Sequence, residues 1–227
     1  MRRVGIMGGM GPEATIALME RVVKLVNASD DADHIPLIVD QNTQVPSRIA
    51  HLIDGDGPDP TSVLIEMARR LEDAGAEALA IACNTAHHYR RAIAGGVSVP
   101  LLSAVELAAE RVTGRGKVGI LGSPALQQVA LFDEAFQSLG AQAVYPTHQA
   151  PLLAAIKDIK ANGPNMASEQ VLAEAAFDLL REGAGAFVIA CTEFSLVPVK
   201  SPEGIEVFDV MDILAEAIVA FAQGEAQ

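Results

Sequence analysis

The sequence has no tryptophan, only two cysteines, and no apolar run long enough to span a bilayer. Two cysteines without C-x-x-C spacing exclude a disulfide framework and a four-ligand zinc site. The opening segment MRRVGIMGGMGPEA carries two arginines, but glycines interrupt its apolar residues before they form the central region of a signal peptide. A cytoplasmic location follows as the expectation, with both cysteines as free thiols. Positive charge is scarce as well. Sixteen Lys and Arg face 29 Asp and Glu, a formal net charge of −13 with no basic cluster to offset it, so a polyphosphate backbone would be repelled. Neither nucleic acid nor membrane is an expected partner.

What remains is a chain of 227 residues that is 50% hydrophobic, enough for one large core or two of about 100 residues each. Strand and helix signals alternate along it. RRVGIMGG reads as a buried strand ending in glycine, and PEATIALMERVVKLVN follows as a helix with Pro12 in its first turn. HIPLIVDQN is the next strand, TSVLIEMARRLEDAG the next helix, and EALAIAC a short apolar strand. VPLLS leads into a helix through Ser103 with Glu106 three residues on. After TGRG the pattern restarts. KVGILGSPA repeats RVGIMGGMGPEA, and AFVIACTEF repeats ALAIACNTA, each pair about 110 residues apart, which is a duplication rather than a solenoid period.

The expectation is therefore an α/β protein of two similar pseudo-symmetric domains, each a mainly parallel sheet flanked by helices, with a ligand cleft between them. The first would comprise residues 1–103 with 205–227, the final strand and helix returning to it. The second would comprise 104–204. Ligands of open parallel sheets bind beyond the carboxyl ends of the strands, where Cys83, Cys191 and the turn from Gly8 through Met10 and Gly11 all fall.

One cysteine after an apolar run is ordinarily a small buried hydrophobe. Two at equivalent points of a duplicated unit, leading into Asn84 and Thr192, call for a shared function. The segment from Gly9 to Ala14 fits the dinucleotide fingerprint G-x-G-x-x-A, but Asp40 lies too far on for a ribose ligand and Pro12 removes an N–H. A turn offering N–H groups to a carboxylate is the simpler reading. His87 and His88 lack the further ligands a metal site needs, and one of them reads as a helix-surface residue. Arg48 in VPSRIA, and Lys157 and Lys160 in AIKDIKANG, are ordinary solvated charges unless an anionic substrate uses them.

The three motifs GIMGGMGPEAT, ACNTAH and ACTEF, in this order over the whole chain, resemble the aspartate/glutamate racemase family, most of all its aspartate branch. The resemblance implies catalysis without a cofactor, Cys83 and Cys191 as the acid/base pair, and a homodimer. It places substrate binding on Asn84, Thr85 and Thr192, on Arg48 in the P-x-R segment, and on Lys160. Ser47 stands where the family pattern has an acidic residue, and KANG carries one extra residue. Both departures touch the side-chain end of the pocket.

The chemistry supports the pair independently. Racemisation removes the α-proton from one face and delivers a proton to the other, a task for two groups that can each be acid or base near neutrality. A thiol, with an ordinary pKa of about 8.5, meets that condition and a serine does not. None of the five lysines follows a strand end where a pyridoxal imine would form. A lyase or isomerase using the same cysteines, a nucleotide-dependent oxidoreductase, and a non-catalytic amino-acid-binding protein remain as alternatives.

Overall fold

The computed structural model describes residues 1–198 and 204–224. Contacts divide the chain into two compact units, Met1–Ala104 with Met211–Gln227, and Val105–Val210. In the first, strands β1 (Val4–Gly8), β2 (Leu37–Gln41), β3 (Ala78–Ile81) and β4 (Leu101–Leu102) form a parallel sheet in the order β2-β1-β3-β4. In the second, β5 (Gly116–Leu121), β6 (Ala141–Val144), β7 (Ala186–Ile189) and β8 (Glu206–Asp209) repeat the same order, β6-β5-β7-β8, again all parallel. The expected fold class is the observed one.

Helix placement follows from strand order. The chain leaves β1 for β2 on one side and then crosses back over β1 to reach β3. Right-handed crossovers in opposite directions put the helices Pro12–Leu25 and Thr61–Asp73 on opposite faces of the sheet. Covered on both faces, β1 and β3 are buried at every position, as are β7 and the last four residues of β5. This explains why these strands read as continuous apolar runs rather than alternating ones. Met7, Leu64, Met67, Leu71, Leu79 and Ile81 build the core on one side of the first sheet; Leu121, Ile156, Leu172, Leu179 and Phe187 build its counterpart in the second unit.

One expectation needs correction. The strand in IEVFD was expected to return to the first half, yet it pairs in parallel with β7, Ala186 opposite Glu206 and Ile189 opposite Asp209. The reason lies in the duplication itself. β3 has β4 on its outer edge, and β8 fills the same edge of β7. Only the following helix, Val210–Gln223, belongs mainly to the first unit, where the Arg2 guanidinium lies over the Phe221 ring and Arg21 pairs with Asp212 at 2.8 Å. Among the described residues no helix is long and apolar enough to cross a membrane.

Candidate active site

In each sheet the strand order reverses between the two central strands, and the carboxyl ends of strands at such a point are where open α/β sheets bind ligands. In the first unit the chain leaves β1 through Gly9, Met10 and Gly11. Gly9 has φ +86, and a Cβ there would run into the Asn42 backbone, so glycine is required. Thr15 fastens this turn: its hydroxyl accepts from the Gly9 N–H at 2.9 Å and donates to the Gly11 carbonyl at 3.1 Å. The fingerprint reading weakens accordingly, because one N–H that a phosphate would use is engaged. Asp40, the acid a ribose would need, is held by Arg70 Nε and Nη2 at 3.1 and 2.7 Å.

Arg48 is 9% exposed. Its Nη1 donates to the carbonyls of Val45 and Pro46 at 3.3 and 2.9 Å, and its Nη2 to that of Met10 at 3.3 Å. Nε has no hydrogen-bond partner, and no described carboxylate pairs with the guanidinium. A buried cation held only by carbonyl dipoles is a standing attraction for an anion. The solvated-charge reading of Arg48 is thereby replaced.

Cys83 follows β3 by two residues and is 6% exposed. Ala82 fixes its approach by donating its N–H to Met7 O at 3.0 Å, extending the β1–β3 pairing. The 3-10 turn Thr85–Tyr89 then carries His87 inward. His87 is fully buried; its Nδ1–H donates to Cys83 O at 3.0 Å and its Nε2 accepts from the Ala104 N–H at 3.2 Å. These two bonds assign the neutral tautomer. Burial, above all, lowers its pKa to about 4. His88 is the exposed one of the pair. Asn84 is buried with Nδ2 unpartnered. Thr85 is half-buried.

Sequence reasoning missed Tyr89, which packs in one apolar cluster with Met10, Val45 and Cys83. Its hydroxyl is buried without a partner, and burial, with Asp59, pushes its pKa up to about 12. The first unit thus gathers three unpartnered buried polar atoms near Cys83: Arg48 Nε, Asn84 Nδ2 and Tyr89 Oη.

The second unit repeats the frame. Ser123 caps the helix Pro124–Gln128 where Gly11 stands before Pro12, and Ala190 donates to Leu121 O at 2.8 Å as Ala82 does to Met7. Cys191, also 6% exposed, follows β7 by two residues. Its surroundings differ. The thiol donates to Glu193 Oε2 at 3.0 Å, and the buried Thr192 hydroxyl donates to the same oxygen at 3.3 Å. Lys160, in the last turn of the helix Ala150–Asn162, lies 3.2 Å from Glu193 Oε1, an oxygen with no other partner among the described residues. Burial, and then the Glu193 charge, push the Cys191 thiol well above its usual range. Glu193 was missed because its closeness to sulfur is a property of the turn, although a carboxylate two residues after a strand-end cysteine was visible in ACTEF. Among the described residues no group of three or more His, Cys, Asp or Glu could hold a metal ion.

The family model described as Asp/Glu/Hydantoin racemase matches residues 7–218. The chain belongs to this racemase family. The racemase is 30% identical over 227 residues to the broad specificity amino-acid racemase RacX of Bacillus subtilis (strain 168), with 96% of each chain covered. Among solved structures it superimposes on an aspartate racemase of Picrophilus torridus with a TM-score of 0.86 at 24% identity, covering 98% of this chain and 95% of the other. An aspartate racemase homologue from Pyrococcus horikoshii OT3 gives 0.76 at 25% identity, covering 98% of this racemase and all of that chain. The expected enzyme class, an amino-acid racemase among the isomerases, accords with this membership.

Proposed function

We propose that the racemase inverts the α-carbon of an acidic amino acid, aspartate first and glutamate next, without a cofactor, using Cys83 and Cys191 as its two bases. The observation that carries this reading is the equivalence of the two thiols: each lies two residues beyond a central strand, in sheets of identical order, at the same 6% exposure. One thiolate takes the α-proton and becomes S–H, while the electron pair passes into the carboxylate to give a dianionic intermediate. The opposite S–H then delivers its proton to the other face and is left as thiolate. Atoms and charge balance, and the thiols have exchanged roles.

The intermediate is reached only where donors already face the developing charge. Asn84 and Thr85 beside Cys83, and Thr192 beside Cys191, are assigned to it, with the turn at Met10 and Gly11. Arg48 is assigned to a substrate carboxylate, because an anion at its free Nε would supply the counter-charge it lacks. The test is incubation with each enantiomer of aspartate and glutamate in D₂O, following α-deuteration and optical rotation. Inversion with deuterium uptake is the expected result. An unsaturated product would select the lyase reading, and binding without exchange the non-catalytic one.

A broader substrate range is the second reading, supported by the pairing of Lys160 with Glu193, which among the described residues leaves Arg48 as the buried cation without a carboxylate partner. The relative from Bacillus subtilis is named for broad specificity. Neutral and basic amino acids therefore belong in the same panel, and turnover of these at rates near that of aspartate selects this reading.

A further inference from the structure

The two thiols are equally exposed but not electrically equal. Cys83 Sγ accepts and donates no hydrogen bond among the described residues, whereas Cys191 Sγ donates to a buried carboxylate. We propose that Glu193 is a positioning residue that keeps Cys191 as S–H, so that the resting chain meets substrate with Cys83 as the base and Cys191 as the acid, and that Lys160 is the counter-ion of this pair rather than a substrate ligand. The inference rests on the two-cysteine reading above.

The argument is geometric. Glu193 is 6% exposed, and its Oε2 receives both the Cys191 thiol and the Thr192 hydroxyl. Ionising the thiol in place would set two anions 3.0 Å apart away from water, where charges interact far more strongly than in solvent. The proton could instead pass from sulfur to the carboxylate, and Lys160 opposes that route. Its ammonium, 3.2 Å from Oε1, stabilises the ionised carboxylate and so leaves the proton on sulfur. Asp209, at the end of β8, meets this loop through Ser195, whose hydroxyl donates to its carboxylate at 2.6 Å while the Ser195 N–H donates to the Cys191 carbonyl at 3.1 Å. Lys160 is partly exposed, at 38% of its side chain, against 7% for Glu193, which fits a solvent-side counter-ion for a buried acid.

The test reads each thiol separately: alkylation of the whole protein by neutral iodoacetamide from about pH 6 to 10, quantified peptide by peptide. In the native chain Cys83 should react at least about tenfold faster than Cys191 at pH 8, a difference that their equal exposure does not supply. Glu193→Gln removes the charge and should accelerate Cys191 about tenfold and move its pH profile down, while the Cys83 rate stays put and reports that the fold is intact. Lys160→Met, a change at an exposed helix end, makes it easier for Glu193 to take up a proton and should therefore accelerate Cys191 in the same direction as Glu193→Gln, by a smaller factor. Equal rates in the native chain would overturn the proposal, as would a slower Cys191 in Glu193→Gln, the result expected if the carboxylate were a base that activates the thiol. Alkylation does not depend on turnover. Absent α-deuteration with the alkylation pattern intact would sink the racemisation reading alone.

Discussion

The loops at Cys83 and Cys191 are the same scaffold carrying different chemistry. In both, the residue before the cysteine is bonded to the end of the neighbouring strand, and the residue four positions on returns to the cysteine carbonyl: His87 through Nδ1, Ser195 through its backbone N–H. Each of these then grips a further element, His87 the N-terminus of the helix Ala104–Arg111 and Ser195 the Asp209 carboxylate at the end of β8. The divergence is confined to side chains. Around Cys83 stand polar groups without partners; around Cys191 the polar groups satisfy one another. The backbone of the duplicated unit sets where each thiol lies, and residues that cost the fold little set what it does.

The sharpest way to break the comparison is to remove each thiol. Cys83→Ala and Cys191→Ala should each lose racemisation in both directions by about 10³-fold, since enantiomers are equal in free energy and a catalyst cannot block only one direction. Each variant should still wash deuterium into one enantiomer without inverting it, and the two should choose opposite enantiomers. Near-normal racemisation by either would end the two-base mechanism.

Next in size is the histidine that serine replaces. His87→Ala leaves the Cys83 carbonyl and the buried Ala104 N–H unpaired and opens a void, an expected loss of about 3 kcal/mol in urea unfolding, against about 1 kcal/mol for Ser195→Ala. The native chain should also be acid-sensitive through this residue. With a folded pKa of about 4 against an unfolded value near 6.5, the unfolded chain binds the extra proton between these limits. The stability is complete above pH 6.5 and falls as pH drops towards 4, by on the order of 3 kcal/mol. Unfolding curves at pH 7 and pH 4.5 check this, and His87→Gln should flatten the difference.

The smallest expected effect separates binding from stability. Arg48→Met should raise KM for aspartate about 10- to 100-fold while leaving urea stability unchanged or higher, because it removes a buried charge that no carboxylate balances. A matched fall in stability would make Arg48 a structural clamp for the Met10 turn.

Much of this was legible in the sequence because the central strands are covered on both faces and read as unbroken apolar runs, two of which lead into a cysteine followed by a polar residue. Cys83 and Cys191 announced themselves in that way. The sheet to which Glu206–Asp209 belongs was not legible from its own four residues, since an edge strand carries no mark of its neighbour; the duplication, carried one strand further, contained the answer. That one of His87 and His88 lies on a surface was legible, but not which one: neighbours diverge by about 100 to 120° in any helical turn, and only the packing around the 3-10 turn sends His87 inward and His88 outward. Lys160 read as a free cation because its partner, Glu193, lies 33 positions away in the chain and a salt bridge between helix and loop leaves no local pattern.

The way the chain threads its two units has a consequence for its synthesis. The helix after β4 lies in the second unit but for its first residue, and the helix after β8 lies in the first unit but for its first residue. The exchange is reciprocal, as in domain swapping, where two copies of one unit trade an identical element. A ribosome that has released residues 1–104 has therefore not yet supplied the first unit with its last helix. Of the two units, the one begun first is the one completed last.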